Sequence, residues 1–406
     1  MFAEVTQCPI SYATHSISYL DLGMMPLVNN LNNSRDESLS CVKFPLKVNY
    51  YPVSGLSVLS GVVDPKILFS HYLYKSGVNK PYIEHCKEMF TYLNQFVTVR
   101  TGDVFLDIGG NDGTLLKTFQ GLNHGIFGLN VDPAKNLGQI SRDGGVTTID
   151  DFWSSKVSAG ISRCKVITST NVFQHTQPIR DFVQAVCNSL TEDGIWCLEF
   201  PYWKTNLETN QFDQIYHEHI YYYMVTPLKH LFNQVGLEIV DISEHKIHGG
   251  TMRIISRKKR FSISKRDNRV KQYLEEEKKF NEEYLVNWGK HIQSNIVGSK
   301  QYLYHLKHEG KKVAAFGAAA KGCIFLNAAG ITHETLDYIV DDTDTKWGKF
   351  MPGTGLQIFP RTKLEQDPPD VILILPHNFS DYIVKSVRPI FKGKFVTMFP
   401  HIKSYE

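Results

Sequence analysis

The stretch VFLDIGGNDGTLL, residues 104 to 116, limits the possible folds of this chain more than any other segment. An apolar run ends in three glycines within five positions and resumes as a helical pattern. Apolar strand, glycine turn and helix in that order bring backbone N–H groups close to a ligand at the carboxyl end of a strand. The surrounding sequence alternates in the same way. The helix PYIEHCKEMFTYLNQFV precedes the turn, and the strand GIFGLNVDP, the strand CKVITST, the helix PIRDFVQAVCNSL and the strand GIWCLEF follow it. Such alternation predicts a mainly parallel sheet with helices on both faces.

The pattern recurs near the end of the chain, where KKVAAFGAAAKG opens a second strand-turn-helix unit and LDYIVDD and DVILILP supply further buried strands. A charged stretch between the units, with apolar positions at Tyr273, Leu274, Phe280, Tyr284, Leu285 and Trp288, reads as one or two long amphipathic helices. The first eighty residues hold short strand-like runs broken by Asn and Pro turns. The expected fold class is therefore α/β. Two Rossmann-like α/β domains (residues 81–256, and within 257–406) are joined by a helical connector and preceded by a small irregular β-rich domain over 1–80.

At 406 residues the chain is long enough for two or three cores. Its formal charge of +3 and its short mixed runs, RKKR at 257–260 and EEEKK at 275–279, read as solvated faces and give no reason to expect nucleic acid. No apolar run approaches the ~20 residues of a membrane span, and MFAEVTQCPIS lacks the features of a signal peptide, so a cytoplasmic, membrane-free protein is expected. The seven cysteines are odd in number and never spaced Cys-x-x-Cys, which suits reduced thiols. A monomer or weak homo-oligomer is expected.

The spacing of the first turn selects its ligand. A dinucleotide fingerprint needs glycines at its first, third and sixth places, which here hold Gly109, Asn111 and Thr114. Asp107, Gly109 and Gly113 instead resemble the first motif of S-adenosylmethionine-dependent methyltransferases. By that resemblance Asp107 lies near the amino acid part of the cofactor and Asp132 accepts the ribose hydroxyls. Asp150 or Asp151 flanks the adenine, and Asn171 faces the cofactor from a strand end.

A closer likeness spans nearly the whole chain. LDLGMMPLVNNL, LFSHYLYKSG, LDIGGNDGTLL, TNVFQHT, LEFPYW, FDQIYHEHIYYY, HGGTMR, KVAAFGAAAKG, IVDDTDTKWGKFMPGTG and LILPHN stand in order. In this the chain resembles the nucleotide-sugar C-methyltransferases, which methylate carbon 3 of 4-keto deoxyhexoses. The resemblance implies a nucleotide-sugar substrate and places the YHEH segment at the active site. His219 would be the general base, with Glu218 and Tyr216 beside it and His175 nearby, and Tyr74 would close the pocket. His248, Arg253 and Lys321 are further substrate-binding candidates.

The resemblance also implies a zinc site of two Cys-x-x-Cys pairs. Here those positions hold Cys8, Ser11, Tyr51 and Ser54. One thiolate with three oxygen donors is a poor structural zinc site, so no metal is expected and the fold should persist by packing.

A ketone makes the adjacent C–H acidic enough for a histidine base, and a neighbouring carboxylate can orient the ring. The developing enolate needs donors, and Tyr216, His175 or a lysine is available. Other readings of the segment remain. His217 and His219 would need a third ligand to hold zinc, and a buried cluster can be hydrogen-bonded for structure alone, His217 most of all. The alternatives for function are O-methylation of a sugar or small metabolite, and a non-catalytic scaffold.

Overall fold

The computed structural model describes residues 2–69, 77, 80–245, 247, 250–261, 267–399 and 401–405. Strands Ile17–Pro26, Lys43–Tyr51 and Leu56–Leu59 form an antiparallel sheet over a core of Cys8, Ile10, Leu46, Val48 and Val58. The fourth strand of this sheet, Tyr221–Tyr222, comes from far along the chain and pairs Tyr221 with Val58 and Tyr222 with Ser57. The residues just after the YHEH segment are thereby fixed to the N-terminal unit.

The central sheet has seven strands in the spatial order Leu237–His245, Thr251–Lys258, Leu190–Pro201, Cys164–Thr170, Val104–Ile108, Phe127–Val131 and Thr147–Ile149. The last five are parallel, and the pair at the first edge is antiparallel. Strand Val104–Ile108 is central because it is apolar on both faces, with Phe105, Leu106 and Ile108 at most 1% exposed. From it the chain first builds outward through Phe127–Val131 to Thr147–Ile149, then crosses to Cys164–Thr170 on its other side. The reversal opens a crevice at the carboxyl ends of the two central strands.

The C-terminal sheet repeats the plan with six strands, ordered Ile358–Phe359, Tyr338–Val340, Val313–Phe316, Val371–Ile374, Lys394–Thr397 and Lys403–Tyr405. All neighbours are parallel except the last pair. Its reversal lies between Val313–Phe316 and Val371–Ile374.

Helices Asp267–Glu277 and Glu282–His308 occupy the connector. The second starts at Asn281, whose side chain accepts the Tyr284 N–H at 3.0 Å. Its apolar face packs on strand Ile17–Pro26, with Trp288 against Tyr19 and Trp203 at ring separations of 6.1 and 5.7 Å. Strand Thr251–Lys258 extends two residues beyond the break expected after 256. Among the described residues no helix is long and apolar enough to cross a membrane.

Candidate active site

Past strand Val104–Ile108 the backbone turns through positive φ at Gly109, Asn111 and Gly113 (68°, 55° and 76°). A Cβ on Gly109 would lie 2.6 Å from Val172, and one on Gly110 would lie 2.7 Å from the Asp107 carboxylate, so the turn admits no side chain there. Asp132, one residue past the next strand, accepts the N–H groups of Asn111 and Ala134 at 2.9 and 2.8 Å. Burial raises its pKa against the lowering effect of those bonds. Asp107 is nearly inaccessible. Thr168 donates to Oδ1 at 2.7 Å, Oδ2 has no partner among the described residues, and burial pushes the carboxyl up to about 7.

This crevice is lined by Gly109, Asn111, Asp132 and Asn171, with His175 at one end. Asn171 adopts φ 54° and its N–H binds the Glu199 carbonyl at 2.9 Å. The expectation for the adenine end needs correction. Asp150 is held in a two-pronged ion pair by Arg142 at 2.9 and 3.0 Å, and Asp151 is exposed, its carboxylate accepting the Phe152 N–H. The wall at this loop is made instead by Phe152 and Trp153, whose aromatic faces suit a base. Their signal was present in the sequence as IDDFW.

The YHEH segment follows the 3-10 turn Phe212–Gln214 and folds back on itself, the His219 N–H bonding the Tyr216 carbonyl at 2.9 Å. The His219 ring is fixed at both nitrogens. Its Nδ1 lies 2.9 Å from the Gln214 carbonyl, which can only accept, so Nδ1 carries the proton and Nε2 a lone pair. The Tyr216 hydroxyl donates to that lone pair at 2.7 Å. Burial, with His175 and Lys321 nearby, holds the His219 pKa well below its ordinary value, so the ring is neutral at pH 7. His175 Nδ1 donates to the Glu218 carbonyl at 2.5 Å. Its ring lies 4.9 Å from that of His219, and burial lowers its pKa to about 4. Because His175 also lines the crevice, it links the two sites.

The expected orienting role of Glu218 is corrected. Its Oε1 accepts from Asn29 of the N-terminal unit at 2.7 Å, and the Gln214 carbonyl orients His219 in its place. Burial pushes the Glu218 carboxyl up to about 7. His217 faces away, 3.3 Å from the Pro45 carbonyl and edge-on to Phe44, with a pKa lowered to about 4 by burial. With both His219 nitrogens engaged and His217 pointing elsewhere, the two do not form a metal pair.

Arg253 is a further correction. It is fully buried, donates to Glu199 at 2.7 Å and to Glu88 at 3.0 Å, and lies over the Tyr92 ring, so a substrate contact is closed to it. His85 and Arg253 hold Glu199 down to about 2 although burial opposes this. His85, Glu88 and His245 approach one another as metal donors would, but the Arg253 guanidinium already supplies the cation there. Tyr74 and His248 lie outside the described residues. Lys321 sits in the first turn of helix Ala320–Ala328, which packs on the turn Phe212–Gln214.

At the positions of the implied zinc site, Cys8 Sγ lies 3.1 Å from Ser54 Oγ and accepts the Ile10 and Ser11 N–H groups at 3.4 Å each, while Tyr51 donates to the Val5 carbonyl. One thiol among three hydroxyls, those of Tyr51 and Ser54 already engaged, does not fit a structural zinc ion.

Comparison with known proteins agrees with this architecture. A family profile described as a methyltransferase domain matches residues 82–242, and one described as a C-methyltransferase C-terminal domain matches residues 246–400. C-methyltransferase NovU of Streptomyces niveus is 26% identical over 98% of this chain and 96% of its own length. Among solved structures, an S-adenosylmethionine-dependent methyltransferase from Clostridium acetobutylicum ATCC 824 covers 44% of this chain and 92% of its own, at 10% identity and TM-score 0.34. Magnesium protoporphyrin IX methyltransferase from Synechocystis PCC 6803, with bound SAH, covers 43% and 82%, at 9% identity and TM-score 0.35. The turn that excludes side chains, the strand-end Asp132 and the unpartnered oxygen of Asp107 fit S-adenosylmethionine. Through the two adjoining profiles and the relative aligned from end to end, the chain is similar to C-methyltransferases over nearly its whole length.

Proposed function

We propose that the enzyme methylates carbon 3 of a nucleotide-linked 4-keto deoxysugar, by removing the proton beside the ketone and directing the resulting carbon at the cofactor's methyl group. The carrying observation is the neutral His219 ring, with its Nε2 lone pair beside the Tyr216 hydroxyl and its face near the crevice residue His175. A buried neutral imidazole of fixed tautomer is a ready proton acceptor. Tyr216 must release Nε2 as the substrate C–H arrives, which frees its hydroxyl to donate to substrate oxygen. Bound in the crevice, S-adenosylmethionine supplies an electrophilic methyl group. Asp107 would face its ammonium and Asp132 its ribose hydroxyls. Phe152 and Trp153 would flank its base. The segment's surroundings are apolar and aromatic, with Phe212, Ile215 and Tyr222 buried, and would keep water from the reacting carbon.

The test is a screen of 4-keto nucleotide sugars with a labelled methyl donor, followed by NMR of the product. The expected label is on carbon next to the ketone. A methyl on oxygen would move the assignment to O-methylation, where the same base would act on a hydroxyl.

A further inference from the structure

The C-terminal α/β unit meets the active-site segment at the turn that precedes it. Helix Ala320–Ala328 is seated on the turn Phe212–Gln214, which leads directly into Tyr216 and His219. The seat is a stack of rings: Phe325 on the helix meets Phe399 at 5.2 Å, and Phe399 meets Phe212 at 4.8 Å. Beside it His377, at the carboxyl end of strand Val371–Ile374, places Nε2 3.2 Å from the Asp213 carboxylate. Both partners are at least nine-tenths buried as side chains.

Lys321 lies at this junction, near enough for its charge to act on Asp213 and His219. Its Nζ is shielded from solvent, makes no ion pair and has no hydrogen-bond partner among the described residues. A shielded ammonium without a hydrogen bond is costly; the Asp213 carboxylate within its field offsets part of that cost, and a strongly polarised oxygen arriving at Nζ would offset more. Its field reaches the groups that matter. Although burial opposes it, Lys321 together with His377 holds the Asp213 carboxyl below its usual range, and Lys321 adds to the lowering at His219.

We propose that Lys321 is a catalytic residue of the methyl transfer, donating a hydrogen bond from its ammonium to the substrate ketone oxygen as the enolate forms; this rests on the 4-keto-sugar reading above. His219 Nε2 takes the proton from the carbon beside the ketone. The C–H electron pair becomes the C=C bond, and the carbonyl π pair moves to oxygen, where Lys321 meets the charge without giving up its proton. The carbonyl then re-forms as the carbon bonds the methyl group, and the methyl–sulfur bond breaks with its pair going to sulfur. Asp213 and His377 are positioning residues that keep the helix carrying Lys321 on the turn that carries the base.

The experiment compares wild type with Lys321→Met and Lys321→Arg. It measures methyl transfer, and separately the uptake of solvent deuterium at the carbon beside the ketone with S-adenosylhomocysteine in place of the methyl donor. Lys321→Met is expected to lose about 10²- to 10³-fold in both exchange and kcat, as for removal of an oxyanion donor. Its KM for the nucleotide sugar should change by less than about tenfold, its calorimetric affinity for S-adenosylmethionine should be unchanged, and circular dichroism should show it folded at the assay temperature. Lys321→Arg, which keeps the charge, should recover part of the exchange. Wild-type exchange rates in Lys321→Met, or a loss confined to KM, would overturn the role of Lys321 alone. A wild-type enzyme that methylates only oxygen would overturn the ketone reading and this role with it.

Discussion

At the scale of single residues the base is the point to test. His219→Ala should lower kcat by about 10²- to 10⁴-fold and abolish deuterium exchange while leaving cofactor binding intact, as measured by calorimetry. Glu218→Gln, which keeps the contact with Asn29, should retain exchange; if the two results are reversed, Glu218 is the base. The pH profile separates them as well. The lowered pKa of His219 puts its acid limb below 6.5, whereas a carboxyl at about 7 would give activity still rising through neutrality. Asp107 yields a second prediction. Its folded pKa of about 7 lies above that of an unfolded aspartate, ~3.9, so the folded protein keeps a proton that the unfolded chain releases. That contribution to stability is present at low pH and is lost as pH rises from about 4 towards 7. A cofactor ammonium favours the carboxylate, so binding below pH 7 should release a proton and tighten by up to about tenfold per pH unit. Calorimetry in buffers of different ionisation enthalpy reads both effects, and pH-independent binding would remove Asp107 from the cofactor. The sequence displayed the carboxylates and histidines, because glycine spacing and residue order are written in it. It did not display which partner each one takes. The Gln214 carbonyl beside His219 and the Arg142 guanidinium on Asp150 depend on how turns close in space.

At the scale of elements, alternation and periodicity were legible: the strands around the first turn, the helix Ile179–Ser189 and the two connector helices lie where apolar spacing puts them. Charge runs were less informative. EEEKK reads as a solvated face, yet Glu277 within it is only 4% exposed. It accepts the Val225 and Thr226 N–H groups at 2.7 and 2.8 Å, together with the Thr226 and Tyr202 hydroxyls. Helix Val225–Val235 has no side-chain cap of its own, so Glu277 satisfies its first turn from another element. Local pattern cannot reveal a cap drawn from some fifty positions away. Glu277→Ala should cost about 2 to 3 kcal/mol in denaturant unfolding, since it strips a buried helix start of its acceptor. The exposed neighbour Glu275→Ala should cost less than about 0.5 kcal/mol, and equal effects would refute the cap.

At the scale of the whole molecule, all three units meet at one short segment. Asn29 of the N-terminal unit holds Glu218, and strand Tyr221–Tyr222 completes the N-terminal sheet. From the other side, the C-terminal helix Ala320–Ala328 packs on the turn before Tyr216. What keeps the N-terminal unit in place is the helix Glu282–His308, which is a spine more than a linker. Its closest approach is at Gly289, where an added Cβ would stand 1.7 Å from the Tyr19 carbonyl oxygen. In the sequence this glycine looks like a small penalty inside a helical pattern, because the strand it must clear is some 270 positions away. Gly289→Ala should therefore reverse the usual preference for alanine in a helix. Backbone atoms cannot yield as a side-chain tip can, so the helix and strand must separate, at a cost of about 1 to 3 kcal/mol or more. Gly298, in the same helix with nothing within 4 Å of its Cβ position, is the control, and Gly298→Ala should be neutral or stabilising by up to about 1 kcal/mol. If the seating of the N-terminal unit also sets the Asn29–Glu218 contact, Gly289→Ala should lose methyl transfer at temperatures where circular dichroism still shows it folded, while cofactor affinity in the central sheet stays unchanged. Full activity in a destabilised Gly289→Ala variant would show that the N-terminal unit contributes to stability alone.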